Sequence, residues 1–270
     1  MKEFTLQQKD NIWWGEFAHL RAAGFLHGCS CRLHGESNIV PGSLNLALHV
    51  GDDRNMVLRN RSRFAAALGV RPERFTTCAQ VHGSRVQIVD KKIVGSGALD
   101  YAATVADTDA LVTNLPGVPL MLFYADCVPV LLADPVRKVI AVAHAGWRGT
   151  VAGIAAGTVA VMQDGFGCRP EHILAGIGPS IGGCCYEVDD VVRQQALDYT
   201  EFFLSRGRGK YLLNLQGINR KQLLKTGLLE QHLVTAGVCT AENNELFFSY
   251  RQEQGHTGRM GVCLCLPEGS

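Results

Sequence analysis

The apolar positions of the chain follow two periods. Between Asp109 and Ala143, short apolar runs alternate with Pro, Gly or Asp: Asp109–Thr113, Pro119–Tyr124, Val128–Ala133 and Val139–Ala143. Runs of this length, bounded by turn residues, predict buried strands. Ile173–Ile177, Phe247–Tyr250 and Met260–Leu266 read the same way. Helical spacing appears elsewhere. Val57, Leu58, Phe64, Ala65 and Leu68 mark a helix that Asp52 or Asp53 can cap, with Gly69 as its stop and Pro72 just beyond. Apolar positions 151, 154, 155, 158, 159 and 162 give a core-facing stripe over Thr150–Gln163. Helices are also predicted near 188–204 and 216–230. Residues 25–51 mix apolar residues with Gly, Ser and Asn and predict short strands and turns. Phe75–Val89 is a predicted strand interrupted by His82-Gly83-Ser84, and Gly95–Asp107 a loop.

No repeat, linker or low-complexity segment divides the chain. The expected fold is therefore α/β (α+β): a single domain over 1–270, built as layered mixed sheets flanked by helices. Residues 1–24, with the Trp13-Trp14 pair, are expected to be an N-terminal extension packing its indoles on that domain.

Composition narrows the class. Of 270 residues, 47% are hydrophobic, enough for a substantial core. Lys plus Arg is 26 against 25 for Asp plus Glu, a net charge of +1, which gives no signature of nucleic acid or an anionic membrane surface. No apolar run reaches the roughly 18 residues of a membrane span. The start, Met1-Lys2-Glu3-Phe4-Thr5-Leu6, has no basic region followed by an apolar one. Ten cysteines spread over such a chain predict reduced thiols and a cytoplasmic location.

The candidate chemistry lies at the ends of the predicted strands. His82, Cys127 and His144 each sit beside a small residue or Pro, where buried sheets present functional groups. Two nitrogens and one thiolate suit catalytic zinc, which takes three protein ligands and keeps a fourth position open. The same residues also read as a core cysteine and two satisfied core histidines, because free cysteine is among the most buried residue types. Arg148-Gly149-Thr150 lies where a strand-turn meets a helix, so unpaired amides and a guanidinium there form a candidate anion clamp, with a surface salt bridge as the alternative. Arg61 interrupts the stripe of its helix. It either covers the core with its aliphatic stem or points its charge into a pocket.

Two motif matches carry less. Gly178-Pro179-Ser180-Ile181-Gly182 matches G-x-S-x-G, but Gly183-Cys184-Cys185-Tyr186 is a poor helix start, so a turn edging the pocket is expected instead of a nucleophile. His34-Gly35-Glu36 matches the H-x-E of zinc deaminases, but their P-C-x-x-C partner is absent from the chain.

Longer strings carry a resemblance. At Ala125-Asp126-Cys127-Val128-Pro129, His144-Ala145-Gly146-Trp147-Arg148-Gly149-Thr150 and Gly178-Pro179-Ser180-Ile181-Gly182 the chain resembles the bacterial multi-copper polyphenol oxidase laccase family, also called the laccase-domain or purine nucleoside phosphorylase family. Ser43-Leu44-Asn45-Leu46, Asn60-Arg61, Gln80-Val81-His82-Gly83, Asp109-Ala110-Leu111-Val112-Thr113, Cys184-Cys185-Tyr186-Glu187-Val188 and Phe248-Ser249-Tyr250-Arg251 extend it over nearly the whole chain.

The resemblance implies that His82, Cys127 and His144 are zinc ligands and catalytic residues. It implies a cytosolic enzyme that takes a purine nucleoside and phosphate. The implied activities are phosphorolysis of adenosine, inosine, guanosine and S-methyl-5′-thioadenosine, and deamination of adenosine. Asn45, Arg61 and Arg148 match positions that would line the nucleoside or phosphate pocket. One departure is Gln252, where the family usually has a second arginine after Ser-Tyr; Arg259 still matches.

Three other functions stay open at this point. A copper-dependent polyphenol oxidase would use copper as the alternative metal, but its cluster needs many histidines, and this chain has 9, scattered, with no H-x-H. An amidohydrolase editing peptidoglycan precursors would keep the zinc site. A structural zinc module would close the site with Cys184 or Cys185 as a fourth ligand.

Overall fold

A computed structural model describes residues 3–269. In chain order the strands are β1 (Phe4–Lys9), β2 (Ile12–Phe17), β3 (Leu26–Ser30), β4 (Val86–Ile88), β5 (Ala110–Thr113), β6 (Leu120–Tyr124) and β7 (Val128–Asp134). They continue with β8 (Val139–Ala145), β9 (Leu174–Ile177), β10 (Glu187–Asp189), β11 (Phe203–Gly207), β12 (Lys210–Leu213), β13 (Leu233–Thr235) and β14 (Met260–Cys265). The α-helices are α1 (Ala18–Ala22), α2 (Arg54–Leu68), α3 (Trp147–Val151), α4 (Ile154–Phe166), α5 (Asp190–Gln194) and α6 (Leu215–Lys225).

Two large sheets follow from the apolar runs. An antiparallel sheet has the order β1-β2-β3-β14-β6, and a mixed sheet the order β13-β9-β7-β8-β5-β4. Period-two alternation tells each strand which layer to face. In β6, Leu120, Leu122 and Tyr124 enter the core between the two sheets, whereas Met121 and Phe123 pack on the opposite side with Phe64 and Ala65 of α2. In β8, Val139, Ala141 and Ala143 face Ile154 and Val159 of α4 and Ile218 of α6, whereas Ile140 and Val142 face the inter-sheet core. The result is four layers: helix, sheet, sheet, helices. His144, next in the β8 alternation after Val142, is thereby sent to the inter-sheet side. A third sheet, β10-β12-β11, is small and peripheral.

Several expectations are met in detail. The Asp53 side chain accepts from the Met56 amide to cap α2, and Gly69 ends it in the left-handed region at φ 72°. Others change. The 150–163 helix is broken in two by Gly153, at φ 77°, so the helix starting at Trp147 has only 5 residues. The helix expected over 188–204 is strand, one short helix and a 3-10 turn, because Ala196 (φ −126°) and Tyr199 (φ −131°) leave helical geometry. Phe247–Tyr250 is a turn, not a strand: the Leu246 and Phe247 amides donate back to the Asn243 carbonyl. Of Phe75–Val89 only Val86–Ile88 is a strand; Thr76 and Cys78 make single bridges to other segments. Residues 4–17, expected to pack on the domain, form the edge strand β1 and the adjoining strand β2 of the first sheet, with Trp14 buried. No helix among the described residues is long and apolar enough to cross a membrane.

Candidate metal centre and cavity

The chain crosses from one large sheet to the other through three residues, Ala125-Asp126-Cys127, between the end of β6 and the start of β7. Such a short crossing forces an unusual backbone. Asp126 sits at φ 84°, and its carboxylate is held by the Thr240 hydroxyl and the Arg251 amide, each at 2.7 Å. Cys127 follows directly and is delivered to the open end of the inter-sheet core. On the neighbouring strand, His144 pairs in register with Pro129, two residues beyond Cys127.

His82 arrives from a turn with its own φ at 60°. A single carboxylate fixes that turn. Asp109, fully buried at the start of β5, accepts from the amides of Val81, His82 and Gly83 at 3.2, 3.0 and 2.7 Å. The same carboxylate lies 2.9 Å from His144 Nδ1. Asp109 thus orients both histidines and leaves Nε2 of His144 free to act as a ligand, the carboxylate–histidine arrangement common behind metal ions.

The ligand atoms of His82, Cys127 and His144 lie within 4.8 Å of one another, and this group can hold a metal ion. The two imidazoles meet edge-on, with centroids 4.9 Å apart. Gly146 is part of the cradle: a Cβ there would lie 2.6 Å from His82 Cδ2 and 3.2 Å from Cys127 Sγ. Desolvation pushes the Cys127 thiol up, but the His144 charge and hydrogen bonds from both histidines outweigh it and bring it down to about 6. Desolvation pushes His144 down, but Cys127 and Asp109 raise it to about 9. The trio therefore already carries a thiolate, the form that binds metal.

These residues floor a cavity of about 590 Å³, within the range of small-molecule sites. Arg148, Arg251 and Arg259 line it, with Phe123, Trp147, Tyr186 and Tyr250. Each guanidinium lies over a ring: Arg148 over Trp147 at 4.5 Å, Arg251 over Tyr186 at 5.0 Å, Arg259 over Tyr250 at 5.4 Å. Such stacking orients an arginine while leaving donors available. His49 at the rim has its pKa lowered by desolvation and by the charges of Arg259 and Arg61.

The predicted site residues divide. His82, Cys127, His144 and Arg148 come together at the cavity. Asn45 and Arg61 do not line it. Arg61 is buried, donating to the carbonyls of Leu46 (2.8 Å), Gly97 (2.7 Å) and Ala98 (2.7 Å), and it lies 4.8 Å over the outer side of the Phe123 ring. Asn45 donates to Ala47 and Asp52 and accepts from the Arg259 amide at 2.9 Å. Both stand one residue behind the wall, where their polar groups are consumed by the backbone and, for Asn45, by the Asp52 carboxylate as well. Ser180 is fully buried and accepts from Gln216, so it is no exposed nucleophile. Cys184 and Cys185, the candidate fourth ligands, belong to a separate group with Cys239.

Sequence reasoning missed Asp109, Asp126, Gly146 and Arg251 as parts of the site. A lone acid opening an apolar run, as at Asp109, was the available signal: such a carboxylate has to find partners.

The sequence and the fold have counterparts among known proteins. The chain belongs to the family described as multi-copper polyphenol oxidoreductase laccase, whose model matches residues 26–267. Its relatives include the protein named purine nucleoside phosphorylase YlmD of Geobacillus stearothermophilus, 42% identical over 247 residues, covering 88% of this chain and 89% of that protein. The purine nucleoside phosphorylase YfiH of Escherichia coli is 38% identical over 241 residues, covering 88% and 92%. The crystal structure of YlmD from Geobacillus stearothermophilus matches with a TM-score of 0.92 and 40% identity, covering 97% of this chain and 99% of that one.

Proposed function

We propose that this chain is a zinc-dependent purine nucleoside phosphorylase with His82, Cys127 and His144 as the metal ligands. The observation that carries the reading is the meeting of these three groups within 4.8 Å on the floor of a cavity that also collects three arginines. The names of the relatives, purine nucleoside phosphorylases over nearly their full length, support the substrate class. The donor set fits zinc: one thiolate and two imidazoles, one imidazole oriented by a buried carboxylate. His82, Cys127 and His144 would hold the zinc, which would supply Lewis-acid chemistry at the cavity floor.

The chain's own residues do the rest. Arg148, Arg251 and Arg259 hold the charge of phosphate. Phe123 and Tyr250 offer apolar faces to the nucleoside, and the enclosed cavity limits competing water. A phosphate oxygen bonds to the sugar C1′ as the bond from C1′ to the purine N9 breaks; the bonding pair leaves with the purine, which takes up the proton given up by phosphate, giving the sugar 1-phosphate (ribose 1-phosphate, or its 5-methylthio analogue) and the free base. The substrates on this reading are adenosine, inosine, guanosine and S-methyl-5′-thioadenosine. Adenosine deamination, with water replacing the C6 amine and ammonia leaving, shares the cavity.

The test is incubation of metal-replete protein with inosine and phosphate. Equal amounts of hypoxanthine and ribose 1-phosphate are expected. No ribose 1-phosphate from adenosine, inosine or guanosine and no 5-methylthioribose 1-phosphate from S-methyl-5′-thioadenosine would sink phosphorolysis, and no ammonia from adenosine would sink deamination. The family description keeps a copper oxidase as the second reading. Against it, among the described residues the only other metal-competent group has three cysteines and no histidine. Metal analysis of protein purified without added metal separates the two: several coppers per chain favour the oxidase, zinc the phosphorylase.

A further inference from the structure

Ten cysteines are free thiols here, and most are scattered through the apolar core. Three are not. Cys184 is exposed, Cys185 half-buried and Cys239 buried, and their sulfurs lie within 4.8 Å of one another. None of them lines the cavity of the His-Cys-His centre. We propose that Cys184, Cys185 and Cys239 form a second metal site, for a zinc-class thiophilic cation, which clamps one wall of the nucleoside cavity.

The geometry suits the ion. Three sulfurs at about 2.3 Å from a common zinc stand about 3.8–4.0 Å apart, so small rotamer adjustments close the group. Thiolate ligands are commonly supported by amide donors, and the Gly182 amide donates to Cys239 Sγ at 3.2 Å. Gly182 is also the residue that permits the approach: a Cβ there would lie 2.9 Å from Cys184 Sγ and 3.2 Å from Cys239 Cβ. The exposure of Cys184 gives an entry path from solvent.

The group joins two segments distant in sequence. On one side is the turn that carries Ile181 and Tyr186 to the cavity. On the other is Cys239-Thr240, where Cys239 bridges Ser180 and Thr240 donates to Asp126, the residue before Cys127. That bridge consists of two hydrogen bonds, from the Ser180 amide to the Val238 carbonyl and from the Thr240 amide to the Ser180 carbonyl. A cation across the three sulfurs fixes the wall facing the first metal centre.

The experiment is zinc titration of the reduced full chain, followed by metal analysis after desalting. The wild type is expected to retain two equivalents. Cys127→Ser should lose one and keep the other, and Cys184→Ser or Cys239→Ser should lose the other and keep the first. These arms keep the failure of this site distinct from failure of the His82–Cys127–His144 centre. Zinc X-ray absorption on the wild type needs no variant: with both sites filled, about two sulfurs per zinc are expected on average, three at one site and one at the other, against about one if only the first fills. Retention of zinc by Cys127→Ser at less than one equivalent overturns the proposal. So does a second zinc that survives Cys184→Ser and Cys239→Ser together, or a reduced chain in which two of these thiols reoxidise to a disulfide and bind nothing.

Discussion

Two polar constellations lie on either side of the Phe123 ring, and both are embedded in apolar surroundings. Behind the ring, Asn45, Asn60 and Arg61 spend their donors on the protein. The Asn60 amide donates to Ser37 Oγ and the Asn45 carbonyl and accepts from the Glu36 amide, and Arg61 donates to three carbonyls. In front of it, His82 and Cys127 keep ligand atoms turned to a cavity, and only the far sides of the histidines and their turn are tied down by Asp109. The difference separates scaffold from site. A buried polar group whose partners are all protein contributes shape, whereas one whose partners are incomplete on one side is available to a ligand. Asp109 belongs to both kinds, since its four contacts are internal yet all of them aim the site.

Removing Asp109 is therefore the largest single blow expected. Asp109→Ala frees three amides and the His144 ring at once. Metal affinity should fall by about 10–100-fold or more, the usual cost of losing a carboxylate behind a ligating histidine, and activity with it. Zinc titration and turnover of inosine check this. A variant with wild-type affinity would show that the histidines orient themselves.

The scaffold side should break differently. Arg61 has no carboxylate partner among the described residues, and desolvation lowers its pKa to about 9. Arg61→Met keeps the stem but leaves the carbonyls of Leu46, Gly97 and Ala98 without a donor. A loss of about 2–4 kcal/mol in urea unfolding is expected, with kcat and KM of the folded fraction kept within about twofold. A tenfold fall in kcat at unchanged stability would move Arg61 into the site.

A glycine pair sharpens the contrast. Gly146→Ala places a methyl 2.6 Å from His82 Cδ2, so overpacking of about 1–3 kcal/mol should displace the ligands and weaken metal binding. Gly157, inside α4, has nothing within 4 Å of its would-be Cβ, and Gly157→Ala should stabilise by about 0.5–1 kcal/mol with metal affinity unchanged. Thermal melts and zinc titration on both read the comparison directly. Arg148, exposed and stacked on Trp147, should matter still less to folding. Arg148→Ala should leave stability within about 0.5 kcal/mol and raise the KM for phosphate while sparing that for inosine. Equal KM values for phosphate in the two proteins would remove it from the anion site.

How far these distinctions reach back into the sequence differs by element. The β6–β8 runs and α2 were legible because these strands are buried on both faces, which leaves short continuous apolar runs between turn residues, and because Asp53 and Gly69 punctuate the helix. The stretch 188–204 was not, because its apolar spacing fits a helix while the chain there pairs β10 and β11 with β12, a non-local choice no window displays. The same holds at the site. His82, Cys127, His144 and Arg148 stood at strand ends and were brought to one cavity. Asn45 and Arg61 looked equally polar, and only the positions of Ala47 and Asp52 for the first, and of Leu46, Gly97 and Ala98 for the second, show that their donors are used up. Tertiary partners, not residue type, decide that question.

The smallest effect expected is an absence of one. In metal-free protein the Cys127 thiol is lowered from 9.0 to about 6 and the His144 imidazolium raised from 6.5 to about 9. The cysteine alone would contribute stability present in full above pH 9 and lost as pH falls through about 6. The histidine alone would contribute stability present in full below pH 6.5 and lost as pH rises through about 9. Between these limits the two slopes have opposite signs and similar size. The folded pair has exchanged which group holds the proton, not how many protons it holds. The melting temperature of metal-free protein should therefore carry almost no pH dependence from this pair between about 6.5 and 9, although thiolate absorbance already rises near pH 6. In His144→Ala the thiolate should appear only toward its ordinary range. A thiolate midpoint near 9 in the wild type would show that Cys127 and His144 are not coupled, and that the centre is assembled only when metal arrives.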